Sequence, residues 1–179
     1  MKNSIVKRSR CQLPIRWLVL ATLILIAVGA VTRKVRADVS CRPVHGTIKS
    51  VFTTNNCKSP VGLCTVGTIT GAGPLDGATT SFLALDVAQS AGMPPVEPAA
   101  NLSYSGQLTM VTTNGTLVTR DLGVLDAAHA AFTEVERPAS GTGVFANPGN
   151  NVFFISGSVV DNGQGFQGNL SGVVCANDN

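Results

Sequence analysis

"YSGQLTMVTTNGTLVTRDLGVL", Tyr104 to Leu125, is two β-type runs joined by Asn114-Gly115. Asn-Gly meets the demand for positive φ at both central positions of a type I′ hairpin turn. Similar runs recur on either side, each bounded by turn residues. Before the hairpin come "GTIKSVFTT", ending at Asn55-Asn56, then "CTVGTITG", then "ATTSFLALDVA", which puts Leu83, Leu85 and Val87 on one face at period two. After it come "AAFTEVER", "NVFFISGSVV" and, past Asp161-Asn162-Gly163, "GFQGNLSGVVC". "DAAHAAFTEVE", Asp126 to Glu136, also fits a helix capped by Asp126, but a strand from Ala131 is preferred. Eight evenly spaced strands with hairpin turns, and no helix long enough for a crossover, predict an all-β, closed antiparallel barrel. Closure also removes edges that so strand-rich a chain must otherwise protect.

The first 37 residues stand apart from this pattern. Lys2, Lys7, Arg8, Arg10 and Arg16 precede the apolar run Trp17–Val31, which ends near the small-residue sites at Ala30 and Ala37. Fifteen helical residues rise about 22 Å, short of the roughly 30 Å hydrocarbon core. The layout is that of a secretory signal peptide, with cleavage expected after Ala37 rather than Ala30. Arg33, Lys34 and Arg36 leave an uncleaved N-terminal anchor as the alternative, and membrane attachment is expected only through this leader. Residues 38–179 then form one domain, large enough for a real core.

Removing the leader reverses the electrostatics. Eight of the 13 Lys and Arg lie in residues 1–37, so five cations (Arg42, Lys49, Lys58, Arg120, Arg137) face all ten acids, a formal charge of −5. Five scattered cations make no basic stripe, so nucleic acid is not an expected partner.

Cys11 falls in the leader. Cys41, Cys57, Cys64 and Cys175 are an even set, which in an exported chain reads as two disulfides with three connectivities available. "CKSPVGLC" places Cys57 and Cys64 around a Ser-Pro turn, which favours pairing them and leaves Cys41 to tie the first strand to Cys175 in the last. Zinc competes poorly, because C-x6-C lacks ribbon or finger spacing. An oxidising destination, secreted or periplasmic, follows from the leader and the cysteines together.

"SGTGVFANPGNN", Ser140 to Asn151, contains G-x-G-x-x-A. A dinucleotide fingerprint needs a helix opening on its glycines within a βαβ unit. Here Pro148 and Gly149 stop any helix after about one turn, and the next segment is a β run. Gly141 and Gly143 are instead expected to permit a close turn at the barrel rim, with Phe145 folded inward as a plug.

The same "GTGVF", after a β run and before a bend and a glycine-spaced terminal hairpin, resembles the G-T-G-x-F element of the allene oxide cyclase and dirigent barrels. "GTLVTRDLGVLD" and "SPVGLCTVGTITGAGPLDGATTSF" resemble secreted bacterial proteins carrying a barrel of that type. The resemblance spans roughly Gly46 to Val174 and departs at "FANPGN", where the family more often continues Ala-x-Gly. It implies an eight-stranded barrel around an apolar cavity; small barrels hold side chains or one small ligand, here expected to be a small apolar molecule. The plant members are commonly trimers, so it implies a homotrimer as well. No catalytic residue carries over.

Direct chemical signals are sparse. His45 and His129 lack ligand-spaced partners, no G-x-S-x-G is present, and no cofactor or metal is expected. Glu134 and Glu136 share a face if "FTEVER" is a strand. Paired carboxylates can do acid–base work when burial raises one pKa, but the ordinary reading is a solvated outer face. Of Arg120 and Asp121, one must face inward, and a tie from Asp121 to a turn amide is the ordinary reading. Asp121, Glu134 and Phe145 are therefore the candidate cavity residues. Asn101, Asn114 and Asn169 begin formal glycosylation sequons that matter only in a eukaryotic host. The proline-rich 92–99 stretch reads as a surface loop that could cover a barrel mouth. Three functions fit: a small-ligand binder, an isomerase or cyclase working on an apolar substrate, and a structural or interaction module with a filled barrel.

Overall fold

The computed structural model describes residues 38–89 and 101–177. The leader with its cleavage sites and the 92–99 loop lie outside the described residues. Eight strands form a single closed barrel in sequence order: β1 (Val39–Phe52), β2 (Cys64–Thr70), β3 (Thr79–Gln89), β4 (Asn101–Thr112), β5 (Gly115–Asp126), β6 (Ala131–Gly141), β7 (Val152–Val160) and β8 (Gly165–Asn177). Every neighbouring pair is antiparallel, and β1 closes onto β8 from Val39 opposite Asn177 to Val51 opposite Gly165. Among the described residues the only helical pieces are three 3-10 turns. The segment after Asp126 is a turn, in which Asp126 Oδ1 accepts the amides of Ala128 and His129 at 3.1 and 3.2 Å, and the strand starts at Ala131.

The central hairpin forms one residue earlier than Asn-Gly chemistry predicts. Thr112 pairs with Gly115, so Thr113 and Asn114 are the loop, and Asn114 does not take positive φ. Thr112 organises this turn by accepting the Asn114 amide at 3.2 Å and donating to the Gly115 carbonyl at 2.9 Å. Gly115 is required for a different reason. Its φ is +155°, and a Cβ there would overlap the Thr142 carbonyl of the neighbouring rim turn.

A second correction concerns β3, where Leu83, Leu85 and Val87 do not share one face. Phe82 and Ala84 point inward, Leu85 is exposed, and a bulge between Ala84 and Asp86 switches the alternation so that Val87 reaches the interior beyond it. One extra residue reverses the faces that follow it. The cysteine loop holds this bulge. Ser59 Oγ donates to the Ala84 carbonyl at 2.6 Å, and the Ala84 amide donates to Leu63 at 3.0 Å.

The two barrel ends differ. At one, Val44, Ile69, Leu75, Met110, Leu117, Phe145, Phe153 and Val174 pack into a solid core. The "GTGVF" turn closes this end. Phe145 is fully buried, and the amides of Thr142, Val144, Phe145 and Ala146 all donate to backbone carbonyls. No amide cradle is left there for a phosphate. Asn151, also fully buried, anchors the following loop by accepting the Cys175 amide and donating to Pro148. Disulfides Cys41–Cys175 and Cys57–Cys64 staple the two ends, one across the β1–β8 seam and one in the β1–β2 loop. Both are consistent with an oxidising, extracellular compartment.

The loops they close differ greatly in length, with sequence separations of 134 and 7. Replacing Cys41 and Cys175 together by Ser is expected to lower the unfolding free energy by about 5 kcal/mol, and the Cys57/Cys64 double replacement by about 2 kcal/mol. Urea denaturation of the oxidised proteins measures both.

Candidate functional site: an apolar mouth over buried carboxyls

The other end of the barrel is open. A cavity of about 140 Å³ is lined by Phe52, Leu63, Phe82, Leu102, Leu108, Leu125, Phe132 and Phe166, among others, and it reaches down to Tyr104 and Glu134. Most of the lining comes from the ends of the odd strands and the beginnings of the even ones, with Leu63 from the β1–β2 loop and Phe82 and Leu108 from deeper in β3 and β4. Phe132 and Phe166 meet edge to face with centroids 5.2 Å apart, as Phe82 and Tyr104 do at 6.4 Å.

The floor is polar. Tyr104 on β4 donates its hydroxyl hydrogen to Glu134 Oε2 on β6 at 2.7 Å, spanning the whole of β5. It can do so because Gly123, its register partner on β5, has no side chain; a Cβ there would overlap the tyrosine ring. Beneath this bridge, Asp121 on β5 stands opposite Glu136 on β6. Asp121 is 6%, Glu134 8% and Glu136 0% exposed. The outer-face reading of the Glu134/Glu136 pair is therefore wrong, because the register of β6 turns both into the barrel. Nor is Asp121 tied to a turn. It lies in mid-strand, with Arg120 exposed on the other face, and neither carboxylate oxygen has a hydrogen-bond partner.

Burial outweighs every compensating interaction and raises all three carboxyls. Desolvation pushes Asp121 up to about 7; the nearby amides of Asp121 and Gly106 and the charge of Arg120 offset this only in part. Desolvation lifts Glu134 to about 8 against the pull of the Tyr104 hydroxyl, and the charge of Asp121 adds to the rise. Glu136 is held well above the usual range by desolvation, then by Glu134 and Asp121. The Thr119 hydroxyl, which donates to Glu136 Oε2, opposes this only in part. Thr119 Oγ1 lies 2.5 Å from Glu136 Oε2 and 3.3 Å from the Leu108 carbonyl. Tyr104 is raised in turn, by desolvation first and then by Glu134.

Asp121 and Glu134 therefore share one interior cluster, while Phe145 belongs to the closed end. The sequence reading missed Tyr104 and Glu136 as members of that cluster. The turn chemistry could not supply them: an Asn114-Gly115 loop would set Tyr104 opposite Leu125, whereas the observed Thr113-Asn114 loop sets it opposite Gly123. Among the described residues, no three His, Cys, Asp or Glu side chains are grouped to hold a metal ion. His45 and His129 are exposed, and His129 pairs only with Asp126, at 2.7 Å. No family model, curated protein or solved structure matches the chain.

The raised carboxyls make stability depend on pH. Asp121 and Glu134 bind protons more tightly folded than unfolded, so their contribution is complete below about pH 4 and is lost as pH rises through about 7 and 8. The urea midpoint of the wild type is expected to be lower at pH 8 than at pH 5. Asp121→Asn, which keeps the shape and cannot ionise, is expected to narrow that difference.

Proposed function

We propose that the barrel is an exported binding protein that holds one small apolar molecule in its open end. The observation that carries this reading is the contrast between the ends. One is packed solid, while the other keeps an aromatic and aliphatic cavity open above a single polar bridge. Pockets for small molecules combine an apolar lining with a few placed polar groups in this way. A cavity of ~150 Å³ suits a benzene-sized group. The leader pattern and the two disulfides support export, and the "GTGVF" closure supports a place among barrels of the allene oxide cyclase and dirigent type.

A second reading, an isomerase or cyclase acting on an apolar substrate, draws on the buried carboxyls at the cavity floor, since a buried acid with a raised pKa suits proton transfer. It places Glu134, the carboxyl that lines the cavity, in contact with the substrate.

A homotrimer, as the resemblance implies, has a surface to use. Leu122 at 62% and Phe154 at 52% exposure flank the half-buried Val135 in cross-strand register on β5, β7 and β6. Native mass spectrometry is expected to show three copies, and Phe154→Lys to shift the population towards the single chain. A wild type that remains a single chain rejects the trimer.

Toluene titrated into the isotopically labelled protein is expected to shift the resonances of Phe82, Leu108, Phe132 and Phe166. Leu102→Trp, which narrows the mouth, is expected to weaken this binding at least about tenfold. No shift in the wild type would favour the filled, structural barrel.

A further inference from the structure

The cavity floor has an unusual charge inventory. Three carboxyls face the interior from two adjacent strands, and a tyrosine hydroxyl faces them from a third. No buried cation meets them, and the one positive charge that acts on Asp121 is that of Arg120, exposed on the outer face. Among the described residues, Arg42, Lys49, Lys58, Arg120, Arg137 and both histidines are exposed. Buried carboxylates are ordinarily paired with a cation, and those without one hold protons instead. The cluster is moreover unsatisfied. Both oxygens of Asp121 and Oε1 of Glu136 are buried without a hydrogen-bond partner. Glu134 is the member that reaches the cavity. Tyr104 occupies its Oε2, and among the described residues no donor reaches Oε1.

The geometry points to a ligand that brings the missing charge: an apolar amine, its hydrocarbon body among Phe82, Leu108, Phe132 and Phe166 and its ammonium group on Glu134. The inference rests on the cavity being a binding site and adds the chemical class of what it takes. On binding, Glu134 gives up its proton to solvent and becomes the carboxylate partner of the ammonium, while Tyr104 keeps donating to Oε2. An ammonium in this water-poor site makes charge-assisted hydrogen bonds that a neutral alcohol of the same shape cannot. An anionic analogue would add a fourth acidic group to three already crowded together in the interior. The groups that answer to the new charge are Tyr104 from β4, Asp121 from β5, and Glu134 and Glu136 from β6.

Three molecules of one shape test this: benzylamine, benzyl alcohol and benzoate, titrated calorimetrically into the intact, disulfide-bonded chain. Benzylamine is expected to bind at least about tenfold more tightly than benzyl alcohol, with benzoate weakest. At pH 6, buffers of different ionisation enthalpy are expected to reveal about one proton released per benzylamine and none per benzyl alcohol. Affinity for the amine is expected to rise from pH 6 to pH 8. Glu134→Gln is expected to reduce benzylamine binding to the level of the alcohol. Should that variant not fold, proton release by the wild type decides the matter alone. Equal affinity for amine and alcohol, preference for benzoate, or amine binding without proton release overturns the ammonium site. If the alcohol and toluene bind nonetheless, the apolar pocket survives that result. If toluene and all three analogues fail to bind, the pocket reading falls with it.

Discussion

The β1–β8 seam is the constraint on which the rest of the molecule depends. Once Val39 to Val51 pair with β8, no strand has a free edge, and each side chain must point either into the barrel or out of it. With that division made, the alternation of each strand decides what is buried. Ile48, Leu108, Met110, Leu117, Ile155 and Leu170 go inside because they share a face with one another, and Asp121, Glu134 and Glu136 go inside because they share a face with them. The acids are thus carried inward by register, in positions that a sheet with a wet face would have left in water.

Missing side chains matter as much as those present. Gly106 and Gly123 face the interior directly across from Phe82 and Tyr104 or beside them, and a Cβ at either would overlap a ring. These two gaps let large aromatics lie flat across neighbouring strands, so the cavity wall forms without swelling the barrel. At the far rim the same device serves closure. Gly115, Gly141 and Gly143 allow three backbones to meet where the "GTGVF" turn crosses the β4–β5 hairpin. One residue type therefore shapes an open end and seals a closed one, according to whether an aromatic ring or a carbonyl comes up against it.

Much of this was legible in the sequence, and the limits have physical causes. Turn chemistry and alternation were enough for eight antiparallel strands, and the Ser-Pro turn was enough for the Cys57–Cys64 pairing. The errors arose where one residue of register decides a face. The bulge at Leu85 inverted β3, and the hairpin at Asn114 shifted by one because Thr112 captures the turn and Gly115 is needed against Thr142. "FTEVER" placed Glu134 and Glu136 together but could not say which side of the sheet held them. The Tyr104–Glu134 bridge was further out of reach, since it joins residues 30 apart across an intervening strand whose only contribution is an absent side chain.

A barrel built only for stability would hold apolar residues at Asp121, Glu134 and Glu136, since replacing buried ionisable groups by well-packed hydrophobic ones commonly stabilises a fold. Two of the three could be dismissed as satisfied polar groups if they were fully bonded, but Asp121 has no partner and Glu136 is bonded through only one oxygen. Their position adds to the argument. The cluster lies between the solid end and the cavity, where it can feel a charge placed in the mouth while water is kept from it below. A purely structural core requires none of these features, and they are what the proposed ammonium site would draw on.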